Sequence, residues 1–415
     1  MKEKYVYFLF FIFIGVYIGY LQIINNDNVF YFLYIICFFI LLINSSRCIM
    51  SSLNVFSVGV FIWLIYMLLS IYRTYSIDSG VKYCIVIIMF AISGIVLAGL
   101  SGWADIFYIS LVLTLVGHVF YTIFSIFFTK EALIISSHFL SSEVQKMTER
   151  WAYEMHHYAG ISGQTVINAL FFVVLLGIVF AELLIQKKRY VKIELFFVSI
   201  LLGVLLILTG KKASIIVALM CIVVTSFYYF LATSFPKRIV KIYYVLGMIG
   251  MLFLIMGFFF INEDIFKSFI GTSIISRERI LQDLNTFFWR SPLWGNGVDS
   301  ITFYVGHSAH NNYIQLLCEY GIIGFVLFLF IQLIITLDIL KRGYRYMQQN
   351  MLNNSGKRAL LFFCFYQFYF MVTGLFESTL FNYRMYLLYI LSIASCYSIF
   401  NFYNKRKDLN EKNSV

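Results

Sequence analysis

Apolar residues run through this chain in blocks close to the length that carries a helix across a bilayer, about 20 residues, with short polar punctuation between them. Such blocks predict helices at 5–24, 29–44, 55–72, 81–100, 104–128, 163–186, 190–209, 213–232, 240–261, 312–340, 358–377 and 382–402. The blocks are continuous rather than alternating, which excludes a β-barrel. The first begins at Tyr5, lacks a small-residue cleavage site and reads as a retained span. The expected fold class is therefore all-α: a polytopic integral membrane protein with about 12 transmembrane helices in one domain, residues 1–415.

Two intervals break the rhythm, 129–162 and 262–311, each too polar to span and too long for a turn. In the first, Leu140, Val144, Met147, Trp151, Met155 and Tyr158 recur at spacings of three and four, one stripe of an amphipathic helix lying on the membrane surface. In the second, Ile280, Leu281, Leu284, Phe287 and Phe288 give a helix with one buried face. Ser291–Pro292 ends it, and Gly295 and Gly297 supply a turn with access to positive φ.

Composition agrees. The chain is 61% hydrophobic and 12% charged, with two prolines, more apolar surface than a water-soluble domain hides. The net charge of +11 invites a nucleic-acid reading, but its distribution argues against one. With the N-terminus inside, MKEK, Arg47, 186–189, 236–241, 341–345, Lys357–Arg358 and 404–407 all fall on the cytoplasmic side. That is the positive-inside bias. It puts both termini in the cytoplasm and 129–162 and 262–311 on the outer face. The cysteines mostly sit inside apolar blocks with no CxxC pair, so they read as packed hydrophobes. His156–His157 makes no metal site by itself, because neighbouring helical residues face about 100° apart.

Three polar features inside or against the apolar blocks point to chemistry. A helix starting near His310 carries Asn311, Gln315 and Glu319 along one face. A glutamate this far in costs on the order of 2 kcal/mol or more unless it meets water or a partner, so the stripe is expected to line a hydrated cavity. Helix–helix bonding is the plainer reading for Asn311 and Gln315. Lys211–Lys212 stands between two spans on the outer side, against the charge bias, with Arg277 and Arg279 in the following outer loop. Such cations suit a pyrophosphate; lysines snorkelling to lipid headgroups are the alternative. Gln164 and Asn168, one turn apart where a span re-enters, can bond sugar hydroxyls or simply a neighbouring helix.

His310-Asn311-x-x-Ile314-Gln315 followed by Glu319-x-Gly321-x-x-Gly324 resembles the HNxxLQ…ExGxxG signature of the O-antigen ligase/polymerase superfamily. Arg279 ahead of Pro292-x-x-Gly295-x-Gly297, and TGKKA at 209–213 where that family shows a Ser-Arg-x-Ala-like motif, add to the likeness. The resemblance implies a multi-span glycosyltransferase at the outer face of a bacterial cytoplasmic membrane, needing no metal or cofactor. It would move an oligosaccharide from undecaprenyl pyrophosphate to an acceptor hydroxyl. Most similar is a Wzy-type polymerase joining repeat units into capsular or O-antigen-type polysaccharide. A ligase shares the signature. A flippase or other transporter is the rival from a different class. By carry-over His310 is the general base and Arg279 a catalytic cation on the leaving pyrophosphate. Lys211, Lys212 and Arg277 are further cations, and Asn311, Gln315, Glu319 and Gln164 substrate-binding groups. A lysine in place of the family's arginine lacks the guanidinium fork. The expected partners are the lipid-linked glycan and the bilayer, with a chain-length regulator left open and no nucleic acid.

Overall fold

The computed structural model describes residues 2–24, 27–45, 54–233, 282–306 and 308–412. Among these the chain is helical throughout, with no strand. In order come α1 (Lys2–Ile24), α2 (Asp27–Ser45), α3 (Val55–Ser70), α4 (Ile77–Gly99), α5 (Ala104–Phe127), α6 (Thr129–Ser137), α7 (Ser142–Glu154), α8 (Thr165–Ile185), α9 (Arg189–Leu208) and α10 (Lys212–Ala232). Beyond 281 follow α11 (Ser300–Val305), α12 (Asn312–Gln348), α13 (Asn354–Thr373) and α14 (Tyr383–Lys412). Every expected span except 240–261 is a helix; that one lies outside the described residues. Eight of the described helices are long and apolar enough to cross a membrane.

Polar caps mark where helices begin. Asn54 and Ser57 form a reciprocal capping box at α3. The Ser76 hydroxyl accepts from the Ser79 amide at α4, and Asn353 does the same for Gly356 at α13. Helices α8 and α14 are the most buried and form the middle of the bundle, whereas α9 presents most of its apolar surface outward. Glycines set the close approaches, as in other membrane bundles. Gly94 lies against Ile390, and Gly177 against Phe362 and Phe365.

Helix direction sorts the connections into two ends. The polar stretches 71–76, 129–162, 209–211, 291–311 and 374–382 share one end, and 100–103, 186–188 and 349–353 share the other. At the second end Arg358 of α13 donates to Asp105 of α5 and to Glu182 of α8, each at 2.7 Å, tying three helices with one side chain. The guanidinium fork suits this double pairing.

The amphipathic interval departs from a single striped helix. It breaks at 138–141 into α6 and α7, and the face of α7 that buries is Thr148 and Ala152, while Met147 and Met155 stay exposed. Leu140 and Val144 pack on Gly163, whose φ of 64° turns the chain back toward α8. Of the stripe, Leu140, Val144, Trp151 and Tyr158 are half-buried, while Met147 and Met155 face outward.

Replacing Arg358 with methionine leaves two carboxylates facing an apolar bundle and should destabilise the protein by about 1–3 kcal/mol. Asp105→Asn should cost less, because that carboxylate is half exposed. Thermal unfolding of the detergent-solubilised protein checks this, and an unchanged midpoint for Arg358→Met would contradict it.

Candidate active site

The site begins with an interruption. Helix α12 is broken at Gly321, whose φ of 68° and ψ of −177° are not helical. A continuous helix would pair the carbonyls of residues 318–320 with amides further along; here those bonds are lost. The segment 291–299 replaces them. The Asn296 amide donates to the Cys318 carbonyl at 3.0 Å and the Gly297 amide to the Glu319 carbonyl at 2.9 Å. In return the Ile322 amide donates to Pro292 O at 2.9 Å and the Ile323 amide to Leu293 O at 3.1 Å. The Asn296 side chain adds a bond to Cys318 O, and the Tyr66 hydroxyl donates to Tyr320 O at 2.8 Å. Two motifs separate in sequence, P-x-x-G-x-G and E-x-G-x-x-G, are thus one interlocked unit.

Its glycines are required by contact. A Cβ at Gly295 would overlap the Glu319 carbonyl, and one at Gly321 the Leu293 carbonyl; both positions have positive φ.

Glu319 serves the same unit. It is fully buried, accepts from Gln315 Nε2 at 3.1 Å, and accepts from the Asp299 amide at 3.1 Å. Gln315 is 2% exposed. The expected hydrated stripe is therefore corrected for these two residues. The loop folds over them: the Glu319 carboxylate is bonded within the chain, whereas Gln315 donates to it through Nε2 and its buried Oε1 has no partner among the described residues. Asn311 is the N-cap of α12, accepting from the Tyr313 and Ile314 amides, while its Nδ2 donates to Leu375 O at 2.9 Å.

His310 sits just before this cap, half exposed, with φ of 51°. Its Nδ1 lies 3.7 Å from Glu377 Oε2. Glu377 belongs to the 374–382 connection, and α12's first residues hold that connection in place. The Asn312 amide donates to Gly374 O at 2.7 Å, its side chain bonds Thr379, and its Oδ1 accepts from the Leu380 amide at 2.9 Å. Sequence reading missed both Asn312 and Glu377. The signal was an acid in a short loop between two apolar blocks, the same anomaly that singled out Lys211–Lys212. The residue beside His310 is Glu377 and not Glu319.

Lys211 and Lys212 lie on the turn that opens α10, at the same end of the bundle. Gly210 takes φ of 70° there, and the His157 ring rests against it. The Tyr158 amide donates to Leu208 O at 2.9 Å, so 155–160 is seated on this turn. Burial first, then Lys211 and Lys212, push the His157 pKa below its ordinary value. One turn deeper, the Tyr369 hydroxyl of α13 donates to Ser214 Oγ at 3.3 Å, linking α10 to the helix that leads into the Glu377 connection.

The other candidates divide. Gln164 is half-buried as the N-cap of α8 and does not cap with its side chain. Asn168 is buried and donates to Thr122 and to Tyr158 O, which is the helix–helix reading. Arg277 and Arg279, with Ile280 and Leu281, lie outside the described residues. Leu284 and Phe287 are buried as expected, in a small cluster with Ile301, Ala309 and Cys318. Among the described residues no trio of His, Cys, Asp or Glu is placed to hold a metal ion.

Residues 197–329, about a third of the chain, match the family described as O-antigen ligase. That segment is similar to the O-antigen ligase/polymerase superfamily. It contains the Lys211–Lys212 turn, the 291–299 clasp and the His310-to-Gly324 motif. No curated protein matches the chain.

Gly321→Ala should sharply lower the yield of folded protein, since it sets a side chain at positive φ against a carbonyl. Gly203→Ala on α9, where a Cβ meets nothing within 4 Å, should leave the yield unchanged. Size-exclusion profiles of the two variants check this; equal profiles would contradict the clasp.

Proposed function

We propose that the protein is a repeat-unit polymerase, joining oligosaccharides carried on undecaprenyl pyrophosphate into a surface polysaccharide at the outer face of the bacterial cytoplasmic membrane. The observation that carries this is the His310–Glu377 pair. Asn311 and Asn312 hold it, within and beside a superfamily segment, at the end of the bundle that also bears Lys211–Lys212. Both termini lie on the opposite, cytoplasmic side.

In the transfer, an acceptor hydroxyl oxygen attacks the anomeric carbon of the donor. The bond from that carbon to the diphosphate oxygen breaks, and the diphosphate leaves with the electron pair on its lipid carrier. His310 takes the hydroxyl proton. With Nδ1 turned to Glu377, Nε2 is the nitrogen that receives it, and the carboxylate stabilises the imidazolium that results. Lys211 and Lys212 face the charge growing on the diphosphate, the kind of electrostatic contribution that is commonly the largest in group transfer. Arg279 is assigned the same role by its motif, and Arg277 by its charge in the same outer loop. Asn311 holds the acceptor side of the site in register, and Gln164 is the candidate for a sugar hydroxyl. Gln315 and Glu319 act through the clasp rather than on substrate. The lipid-linked glycan and the bilayer are the partners of this reading.

A second reading has a specific support. The matched family is described as O-antigen ligase, and a ligase would run the same displacement with a different acceptor.

Purified protein incubated with a synthetic polyprenyl-diphosphate-linked repeat unit tests the assignment by chain length and released polyprenyl diphosphate. His310→Ala should lower turnover at least about 100-fold, and Glu377→Gln about 10-fold with KM little changed. Both should retain wild-type abundance. Wild-type chain growth in His310→Ala would remove that residue from the mechanism.

A further inference from the structure

The two histidines of 156–157 were left without a role by the sequence, and the structure gives one of them a definite place. His157 is half-buried with its ring packed on Gly210, the residue immediately before Lys211 and Lys212. Its own amide donates to Trp151 O at 2.9 Å, and the next amide, that of Tyr158, donates to Leu208 O. The backbone that carries the imidazole is therefore anchored on both sides against the turn. Gly210 needs to be glycine for two reasons at once: its φ is 70°, and a Cβ there would overlap the imidazole. Three basic side chains from two distant segments thus converge on the first turn of α10. The N-cap of that helix, Lys211, makes no side-chain cap bond, and the positive end of the helix dipole adds to the same field.

We propose that His157 is a third basic group of a diphosphate-binding cradle with Lys211 and Lys212, and that protonation of its imidazole tightens that cradle. This rests on the reading of the two lysines as the cations of the donor site.

Among the described residues, the charges acting on His157 are Lys211 and Lys212 from the α10 turn and His156 from its own segment. Burial and these neighbours push the His157 pKa down, disfavouring the imidazolium. A bound diphosphate reverses the balance: it neutralises the lysines, favours the imidazolium, and accepts a charge-assisted hydrogen bond from it. By linkage the anion and the proton then bind each other's site more tightly. Affinity for the anion must therefore rise as pH falls through the range where His157 titrates, relative to a variant that lacks the ionisable ring. Because 155–160 belongs to the interval that folds over α8, occupancy would also fasten that interval to the α10 turn.

Inorganic pyrophosphate is the probe, titrated by calorimetry into the full-length protein in nanodiscs of neutral phosphatidylcholine, with His157→Gln and Lys212→Ala as variants. Comparing wild type with His157→Gln cancels the probe's own titration. The ratio of their affinities should grow about tenfold between about pH 8 and about pH 5.5, and Lys212→Ala should weaken binding at every pH. A ratio that stays flat would overturn the role of His157 while leaving the lysine cradle standing. Undiminished binding in Lys212→Ala would overturn the cradle itself. Phospholipid headgroups carry the same phosphate chemistry, so a second titration uses nanodiscs of phosphatidylglycerol. Retained pyrophosphate binding there supports a diphosphate site, and its loss by competition would assign the basic cluster to lipid headgroups and overturn the proposal. Circular dichroism at both pH values separates these results from unfolding of a variant.

Discussion

A break in a helix that enters hydrocarbon strands amides and carbonyls where neither lipid nor water can satisfy them. At Gly321 that demand is met by one short segment, 291–299, which supplies amides for Cys318 and Glu319 and carbonyls for Ile322 and Ile323. The buried carboxylate of Glu319 completes the clasp from the side-chain direction by accepting from the Asp299 amide. The His310 side of the loop-bearing end follows from this. The clasp fixes where α12 starts, α12 fixes Asn311 and Asn312, and those two fix the connection that carries Glu377 to His310. A rigid framework of this kind suits the proton-transfer role proposed for His310 and Glu377, whose relative geometry it fixes.

The candidate cations reach the same end by an independent route. Lys211 and Lys212 are carried by the turn between α9 and α10, which is held by its contact with His157 and by the Tyr369–Ser214 bond between α10 and α13. Base and cations thus sit on different elements that meet through α13. Strain introduced in the clasp should disturb His310 before it disturbs the lysines, so the two halves of the site are separable by mutation.

Most of the helical architecture was legible because hydropathy dominates: apolar blocks of membrane length leave the backbone one solution. The turn glycines 295 and 297 were legible because a P-x-x-G-x-G stretch after a helical face has little else to do. What eluded sequence reading was pairing at a distance. Glu319 looked like a functional acid facing water, since an acid in an apolar block suggests function; Gln315 shares its helix face, but the Asp299 amide that completes its bonding is invisible until the 291–299 segment is folded over it. Glu377 was overlooked because its importance lies in being held beside a histidine 67 positions earlier, and no local pattern records that. Of the amphipathic stripe of 140–158, Val144 and Trp151 turn partly inward on α7 beside Thr148 and Ala152, whereas Met147 and Met155 lie on its exposed face, a distinction that spacing alone does not make. His157 was weighed only against metal ligation, although its neighbours are lysines.

The central claim is that this chain polymerises lipid-linked repeat units at the outer face of the membrane. Sizing the carrier-linked glycans that build up in a strain lacking the gene, and finding which leaflet holds them, tests it most directly. The account predicts single repeat units on the carrier, exposed on the outer side. Long polymer still attached to the carrier would transfer the assignment to a ligase, and single units confined to the inner leaflet would contradict the account outright.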